Sequence, residues 1–329
     1  MRLPGLVLAS LTAATLVAEP CPELPADPNC KTTVFIRNSD LPKTSVTAPR
    51  NFRRTDGEFR HPCDDDGAPC PPTIGLESLH ASGSAQPTVA GYRWIQGQLP
   101  SGMTLVVFDL RQESHGFVGE LPVSWYLGRD QINCGKSDPE IARDEAALLA
   151  SLRTQATIRP VILEKPPENR CAFAKSGSAI DLPVATVRTE KEVIESLGGR
   201  YVQIRVADFH AADDRQVDQF VAAVLALPGG SWAHFHCAGG DGRTTTFMAM
   251  YDMMRNALLV DVPGAEAILA RQHDLGGIDL DSLGSVGWKE EWARQRRALV
   301  HAFYRYCREQ IPKGFAETFS HWRKRTGST

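Results

Sequence analysis

From about residue 100 onward, apolar and polar positions switch repeatedly between two spacings. Short apolar runs, "TLVVFDL" (104–110), "RPVIL" (159–163), "YVQIRVAD" (201–208) and "WAHFH" (232–236), read as buried strands. Between them lie stretches with helical spacing: "EIARDEAALLASLR" (140–153), "TEKEVIESLGG" (189–199), "DRQVDQFVAAVLAL" (214–227) and "RTTTFMAMYDMMRNAL" (243–258). Thr189 and Glu192 form a capping-box pattern, and Gly198 with Gly199 ends that helix. A long amphipathic helix, "WKEEWARQRRALVHAFYRYCREQ", is predicted near the C-terminus. Alternating strands and helices predict an α/β fold with a parallel or mixed sheet flanked by helices.

The first 47 residues read differently. "MRLPGLVLASLTAATLVAEP" begins with Arg2, continues through a short apolar run and ends in small residues. The pattern predicts a signal peptide over 1–18 and export to the periplasm or the medium, not a membrane span. Residues 19–47 are polar and proline-rich and read as an extended arm, leaving 48–329 as the folded domain. A hydrophobic content of 42% over 329 residues supports a substantial core. The net charge of −3 gives no reason to expect nucleic acid as a partner, and oligomeric state is not legible. Eight cysteines suit an exported chain with disulfides, and "CPELPADPNC" and "CDDDGAPC" are candidate loops for local bridges. Cys307, inside a predicted helix, reads as a buried thiol. The "DDD" at 64–66 lacks the spacing of a calcium loop and reads as a solvated turn.

The chemistry concentrates in "HFHCAGGDGRTTT" (234–246). A strand feeds a glycine-rich loop, and the loop feeds a helix N-terminus. Such a loop aims several backbone N–H groups at one point, where the helix dipole also favours negative charge. Phosphate fits that nest, and Arg243 can grip two of its oxygens. The same field favours a thiolate at Cys237. A phosphate and a sulfur nucleophile at one place imply phosphoryl transfer to sulfur, then hydrolysis. A nucleotide P-loop is excluded because no lysine follows Gly242. The remaining readings are a structural cysteine in a turn and a metal site built from His234, His236 and Cys237. His236 is more simply a residue that fixes the loop.

This signature resembles that of the cysteine-dependent phosphatases and, more narrowly, the protein-tyrosine-phosphatase-like inositol polyphosphatases, the bacterial cysteine phytases. "PRNFR" (49–53), "GLESLHASGSAQ" (75–86), "VVFDLRQESHGFVGELPVSWY" (106–126), "TEKEVIESLGGRYVQIRVAD" (189–208) and "FYRYCRE" (303–309) extend the resemblance in order along the chain. It implies a cysteine-phosphatase core with a small partial β-barrel inserted, and no metal or other cofactor. It implies Cys237 as nucleophile, Arg243 as phosphate ligand, Asp208 as general acid and Thr244 as the hydroxyl that assists the departing thiolate. Asp213 and Asp214 are alternative acids that read better as helix caps. The loop residues Ala238, Gly239, Gly240, Asp241 and Gly242 would surround the phosphate.

A substrate with many phosphates needs further cations. Lys289 and Arg296 lie seven apart on one helix face and match substrate-binding positions of the family, as does Arg53. Lys175 and Arg205 are weaker candidates. Glu113 and His115 read as polar site residues or, better, as a buried hydrogen-bonded corner. Two departures stand out: Phe209 replaces the family's His after the acid, and Asp241 puts a carboxylate into the phosphate loop. The expected activity is dephosphorylation of inositol polyphosphates, phytate first. A phosphotyrosine or general monoester phosphatase using the same residues is the alternative, and a catalytically silent phosphate-binding module is the non-enzymatic one.

Overall fold

The computed structural model describes residues 32–41, 48–60, 70–128, 130–163, 178–260, 264–283 and 287–328. The expected signal peptide, Lys175, and Cys21, Cys30, Cys63 and Cys171 lie outside these residues. The strands in chain order are β1 (Thr33–Arg37), β2 (Arg53–Arg54), β3 (Ala81–Ala85), β4 (Thr104–Arg111), β5 (His115–Val118), β6 (Leu121–Tyr126), β7 (Thr157–Ile158), β8 (Val161–Leu163), β9 (Leu182–Pro183), β10 (Val187–Arg188), β11 (Arg200–Val206) and β12 (Ser231–Cys237). The helices are α1 (Val89–Gly97), α2 (Asp138–Arg153), α3 (Glu190–Ser196), α4 (Asp214–Leu225), α5 (Gly242–Asn256), α6 (Glu266–Asp274), α7 (Glu290–Gln310) and α8 (Phe319–Thr326).

The main sheet has the order β11-β4-β12-β3-β2. Its first four strands are parallel, and β2 is antiparallel to β3, so the sheet is mixed, as expected. Side chains of a strand alternate between faces, and β4 uses both. Val106, Phe108 and Leu110 join the core under α4 and α5, whereas Leu105 and Val107 join the core under α1 and α3. Strand β12 divides likewise, with Phe235 and Cys237 on the α5 side. The capping box of α3 forms, with Glu192 N donating to Thr189 Oγ1 at 3.1 Å and Thr189 N to Glu192 Oε2 at 2.7 Å.

A second five-stranded sheet has the order β10-β5-β6-β1-β8, and α2 packs Leu149 and Leu152 against it. One expectation is corrected here. Residues 33–37, expected within an extended arm, form β1 in the interior of this sheet, antiparallel to β6 and parallel to β8. Phe35 and Ile36 are both 1% exposed, so burial of two large apolar side chains outweighs the freedom of a polar, proline-rich segment.

Strand β3, "ASGSA", carries no large apolar residue, yet all five positions are buried. A Cβ on Gly83 would stand 2.4 Å from Met248 Sδ and 2.7 Å from Thr244 Cγ2. Small residues here let α5 lie close to the sheet beside the end of β12, which fixes the loop between them.

Candidate active site

The loop after β12 folds back on the end of β3. Gly240 adopts φ +79°, and a Cβ there would stand 2.3 Å from Ala85 N, so glycine is required on two counts. Cys237, 4% exposed, accepts the Gly240 N–H and the Thr244 hydroxyl at its Sγ, each at 3.2 Å. Thr244 thus stands against the thiol.

Arg243 stands in the first turn of α5 and is buried. Its Nη1 donates to Glu113 Oε2 at 2.7 Å and its Nη2 to Glu113 Oε1 at 2.9 Å, a fork-to-fork pair. Nη1 also donates to Val206 O at 2.9 Å. Glu113 accepts a further hydrogen bond from Arg111 Nε at 2.9 Å. Burial works against its charge, but Arg243 and Arg111 outweigh burial and hold its carboxyl well below the usual range. Glu113, taken from sequence as a structural corner, is therefore the group that aims Arg243. The "RQESHG" run offered that signal, but a carboxylate between two arginines is visible only once β4 and α5 meet.

Asp208 follows β11 and reaches the same guanidinium, with Oδ1 2.9 Å from Arg243 Nη2. Burial raises its pKa against the opposing pull of Arg243, and the charge of Glu113 adds to the rise. The Nε of Arg243 is buried without a hydrogen-bond partner. The alternative acids are engaged elsewhere. Asp213 caps α4 by accepting from Gln216 N at 2.7 Å, and Asp214 pairs with Arg323 at 2.6 Å.

Behind the loop lies a buried polar network. His236 Nε2 stands 3.2 Å from Glu190 Oε1. His115 Nε2 faces Glu190 Oε2 at 2.9 Å and Asp109 Oδ2 at 3.2 Å, and its Nδ1 faces Glu113 O at 2.8 Å. Both ring nitrogens of His115 meet acceptors, so both carry protons. Its pKa lies well above the usual value: burial opposes the charge and Asp109 overcomes it. Asp109, His115 and Glu190 form a compact cluster of metal-ligand types. Their oxygens already accept from Tyr201 (2.6 Å), Gln203 (2.9 Å), Gln86 (2.6 Å) and the Tyr92 hydroxyl, so the arrangement is a hydrogen-bonded support for the loop.

The cleft over Cys237 is lined by Ala238, Gly239, Asp241, Gly242, Arg243, Asp208, Phe209 and Arg296. It is also lined by Arg37, Asn38, Ser39, Arg50 and Leu163, none of which the sequence singled out. Asp241 is exposed at the rim, where Asn51 Nδ2 donates to its Oδ1 at 2.8 Å and to Gly239 O at 2.9 Å.

Two expected rim cations are corrected. Arg53 is 4% exposed and lies behind the loop, donating to Gly240 O (2.8 Å), Asn51 O (3.1 Å) and Thr245 Oγ1 (3.1 Å). It braces the loop's backbone, as does Gly240, which is not among the lining residues. Lys289 sits over the Phe209 ring, with Nζ 5.1 Å from the centroid, and does not line the cleft. Arg296 does line it, while also donating from Nη1 to Phe209 O at 2.8 Å. Arg205 is half-buried away from the lining residues. Cys307 is a buried free thiol like Cys237, whereas Cys70 and Cys134 are disulfide-bonded.

Comparison with known proteins agrees with this geometry. The profile of the PTP-like phytase family, described as inositol hexakisphosphate, matches residues 108–255. The fold is similar to the PTP-like myo-inositol phosphatase of Mitsuokella multacida, solved in complex with myo-inositol-(1,3,4,5)-tetrakisphosphate, with a TM-score of 0.82 and 26% identity over 94% of this chain and 50% of that one. It is also similar to a PTP-like phytase of Bdellovibrio bacteriovorus, with a TM-score of 0.66 and 28% identity over 92% of this chain and 98% of that one. Among curated proteins, effector protein hopD2 of Pseudomonas syringae pv. tomato is 30% identical over 258 residues, 76% of this chain and 53% of that protein. The chain thus spans about half the length of hopD2 and of the Mitsuokella protein. The loop, its arginine and the sheet behind them thus agree with the likeness to the protein-tyrosine-phosphatase-like phytase family, whose profile covers residues 108–255.

Proposed function

We propose that the chain is a cysteine-dependent phosphatase that removes phosphate from inositol polyphosphates, phytate first, through a phosphocysteine intermediate. One observation carries the reading: Cys237 Sγ receives two hydrogen bonds at the floor of a cleft where Arg243 and Asp208 stand 2.9 Å apart. A phosphate in the loop presents its phosphorus to the Cys237 thiolate. Sulfur attacks, the bond to the leaving oxygen breaks, and the Asp208 carboxyl gives that oxygen its proton. Asp208, now a carboxylate, takes a proton from water as the water oxygen attacks phosphorus. The S–P bond breaks, and the Thr244 hydroxyl stabilises the departing thiolate. Arg37, Arg50 and Arg296 are suited to hold the phosphates that are not reacting.

A second reading, hydrolysis of phosphotyrosine, draws support from Phe209 and Leu163, which give the cleft an apolar wall. The disulfides at Cys70 and Cys134 support export, since such bonds persist outside a reducing cytosol.

Phosphate release from myo-inositol hexakisphosphate and from p-nitrophenyl phosphate, measured with chelator present, tests the proposal. The expected result is turnover of both, with higher kcat/KM on the inositol phosphate. Asp208→Asn should cost about 10²–10⁴-fold in kcat on that substrate and far less on the aryl ester, whose leaving group needs no proton. Turnover of the aryl ester alone refutes the polyphosphate reading. Equal losses in Asp208→Asn refute the acid assignment.

A further inference from the structure

Asp208 is followed by a residue in an uncommon backbone state. Phe209 has φ +68°, which a side chain other than glycine adopts only when its surroundings enforce it. The surroundings come from the start of α7. The Phe209 ring stacks on Trp292 with centroids 5.9 Å apart and planes 18° apart, and the His210 ring lies 4.7 Å from Trp292. Lys289 Nζ stands 5.1 Å from the Phe209 centroid, and Arg296 Nη1 donates to Phe209 O at 2.8 Å. Lys289, Trp292 and Arg296 are spaced three and four apart, so they form one stripe along the helix. Trp292 is 9% exposed.

The stripe first read as a pair of substrate cations is thus directed at the acid turn. Three contacts converge on Phe209, the residue peptide-bonded to Asp208, while Gln131 Nε2 at 3.3 Å and His210 Nδ1 at 2.9 Å face Asp208 O. Apart from its pairing with Arg243 at 2.9 Å, the carboxyl depends on this turn for its direction, and proton transfer needs it within hydrogen-bond reach of the leaving oxygen.

We propose that Trp292, with Lys289 and Arg296, is a positioning residue that keys the Phe209 ring into α7 and so holds the Asp208 carboxyl at the leaving-group oxygen. The proposal rests on the reading of Asp208 as general acid. It gives the Phe209 departure a purpose: an aromatic ring in this position is the part that the helix grips.

The test compares kcat on myo-inositol hexakisphosphate and on p-nitrophenyl phosphate for Trp292→Ala and Trp292→Phe. Both substrates are assayed on the same preparation, so partial misfolding cancels in their ratio. Trp292→Ala should lower kcat on the inositol phosphate at least about tenfold, a share of the acid's full effect, and change the aryl ester less than threefold. Trp292→Phe, which keeps a stacking ring, should restore most of the loss. In an Asp208→Asn background, Trp292→Ala should cost nothing further. Equal losses on the two substrates, an effect confined to KM, or an additive loss in the Asp208→Asn background would overturn the proposal. If Asp208→Asn itself lowers both substrates equally, the acid reading falls and this inference with it. If Asp208→Asn discriminates and Trp292→Ala does not, only this inference falls.

Discussion

Asp130 gives the sharpest stability test. It lies in the segment between β6 and α2 at φ +65°, 4% exposed, with Oδ2 3.6 Å from Arg37 Nη2 and Oδ1 without a hydrogen-bond partner. Burial, then the charge of Glu113, pushes its pKa from an ordinary 3.8 to about 7, and Arg37 offsets this only in part. The folded pKa is above the unfolded one, so the folded chain keeps a proton that the unfolded chain releases. Stability therefore falls as pH rises from about 4 to about 7 and is level above that, the total being at most about 4 kcal/mol. Asp130→Asn removes this titration and keeps a residue type that tolerates the left-handed region. Its amide leaves a buried N–H without a clear acceptor, a cost of about 1–3 kcal/mol at every pH. The variant should therefore gain about 1–3 kcal/mol on wild type at pH 8 relative to pH 4.5. Urea unfolding at the two pH values reads this directly, as a midpoint difference at unchanged slope. A midpoint difference that is the same at both pH values, or larger at pH 4.5, would refute the reasoning.

Three further outcomes follow from the same geometry. Cys237→Ser should release no phosphate yet bind inositol hexakisphosphate within about threefold of wild type by calorimetry, since the loop amides and Arg243 remain; measurable turnover by this variant would exclude the covalent route. Glu113→Gln removes a buried charge shared by two arginines and should cost about 3 kcal/mol of stability, with kcat falling on both substrates because Arg243 loses its aim; unchanged kcat would argue that Arg243 is held by Val206 O alone. Arg37→Met with Arg50→Met should raise KM for inositol hexakisphosphate and flatten its salt dependence, with little effect on p-nitrophenyl phosphate; parallel changes on both substrates would remove these arginines from the rim.

What the sequence reveals and conceals divides along physical lines. Strands β4, β11 and β12 and helices α2, α3, α4, α5 and α7 are legible because each must bury a stripe of its own side chains. The loop from Cys237 to Arg243 is legible because its chemistry is local: amides, a thiol and a guanidinium within seven residues. Strand β3 is hidden because its small residues serve the close approach of α5 and leave no apolar pattern. The rim is hidden for another reason. Arg53, Lys289, Arg37 and Arg50 are all cations, and a charge in a sequence gives no direction. Only the fold turns Arg53 towards a loop carbonyl, Lys289 towards an aromatic ring, and Arg37 from the second sheet into the cleft. Glu113 is legible as a buried hydrogen-bonded residue, but its part in aiming Arg243 is not, since its two arginine partners come from different elements.

Arg243 connects these parts. Its four Nη hydrogens face Glu113 twice, Val206 O and Asp208, so the phosphate-ready edge of the guanidinium is Nε with Nη2. Nε is buried with no partner, and Nη2 is shared with the Asp208 carboxylate. A phosphate that seats on this edge meets Asp208 as a competitor of the same sign. Two anions on one N–H repel, and the repulsion is relieved when one of them takes a proton. Burial and the charge of Glu113 already favour the protonated form of Asp208. Phosphate binding pushes in the same direction, because it removes Arg243 from Asp208 and adds negative charge beside it. On the proposed mechanism, substrate entry would thus favour protonation, from solvent, of the group proposed to donate the proton. Glu113 has a double part in this: it aims the guanidinium at the phosphate, and it holds the negative charge that keeps Asp208 ready to stay neutral.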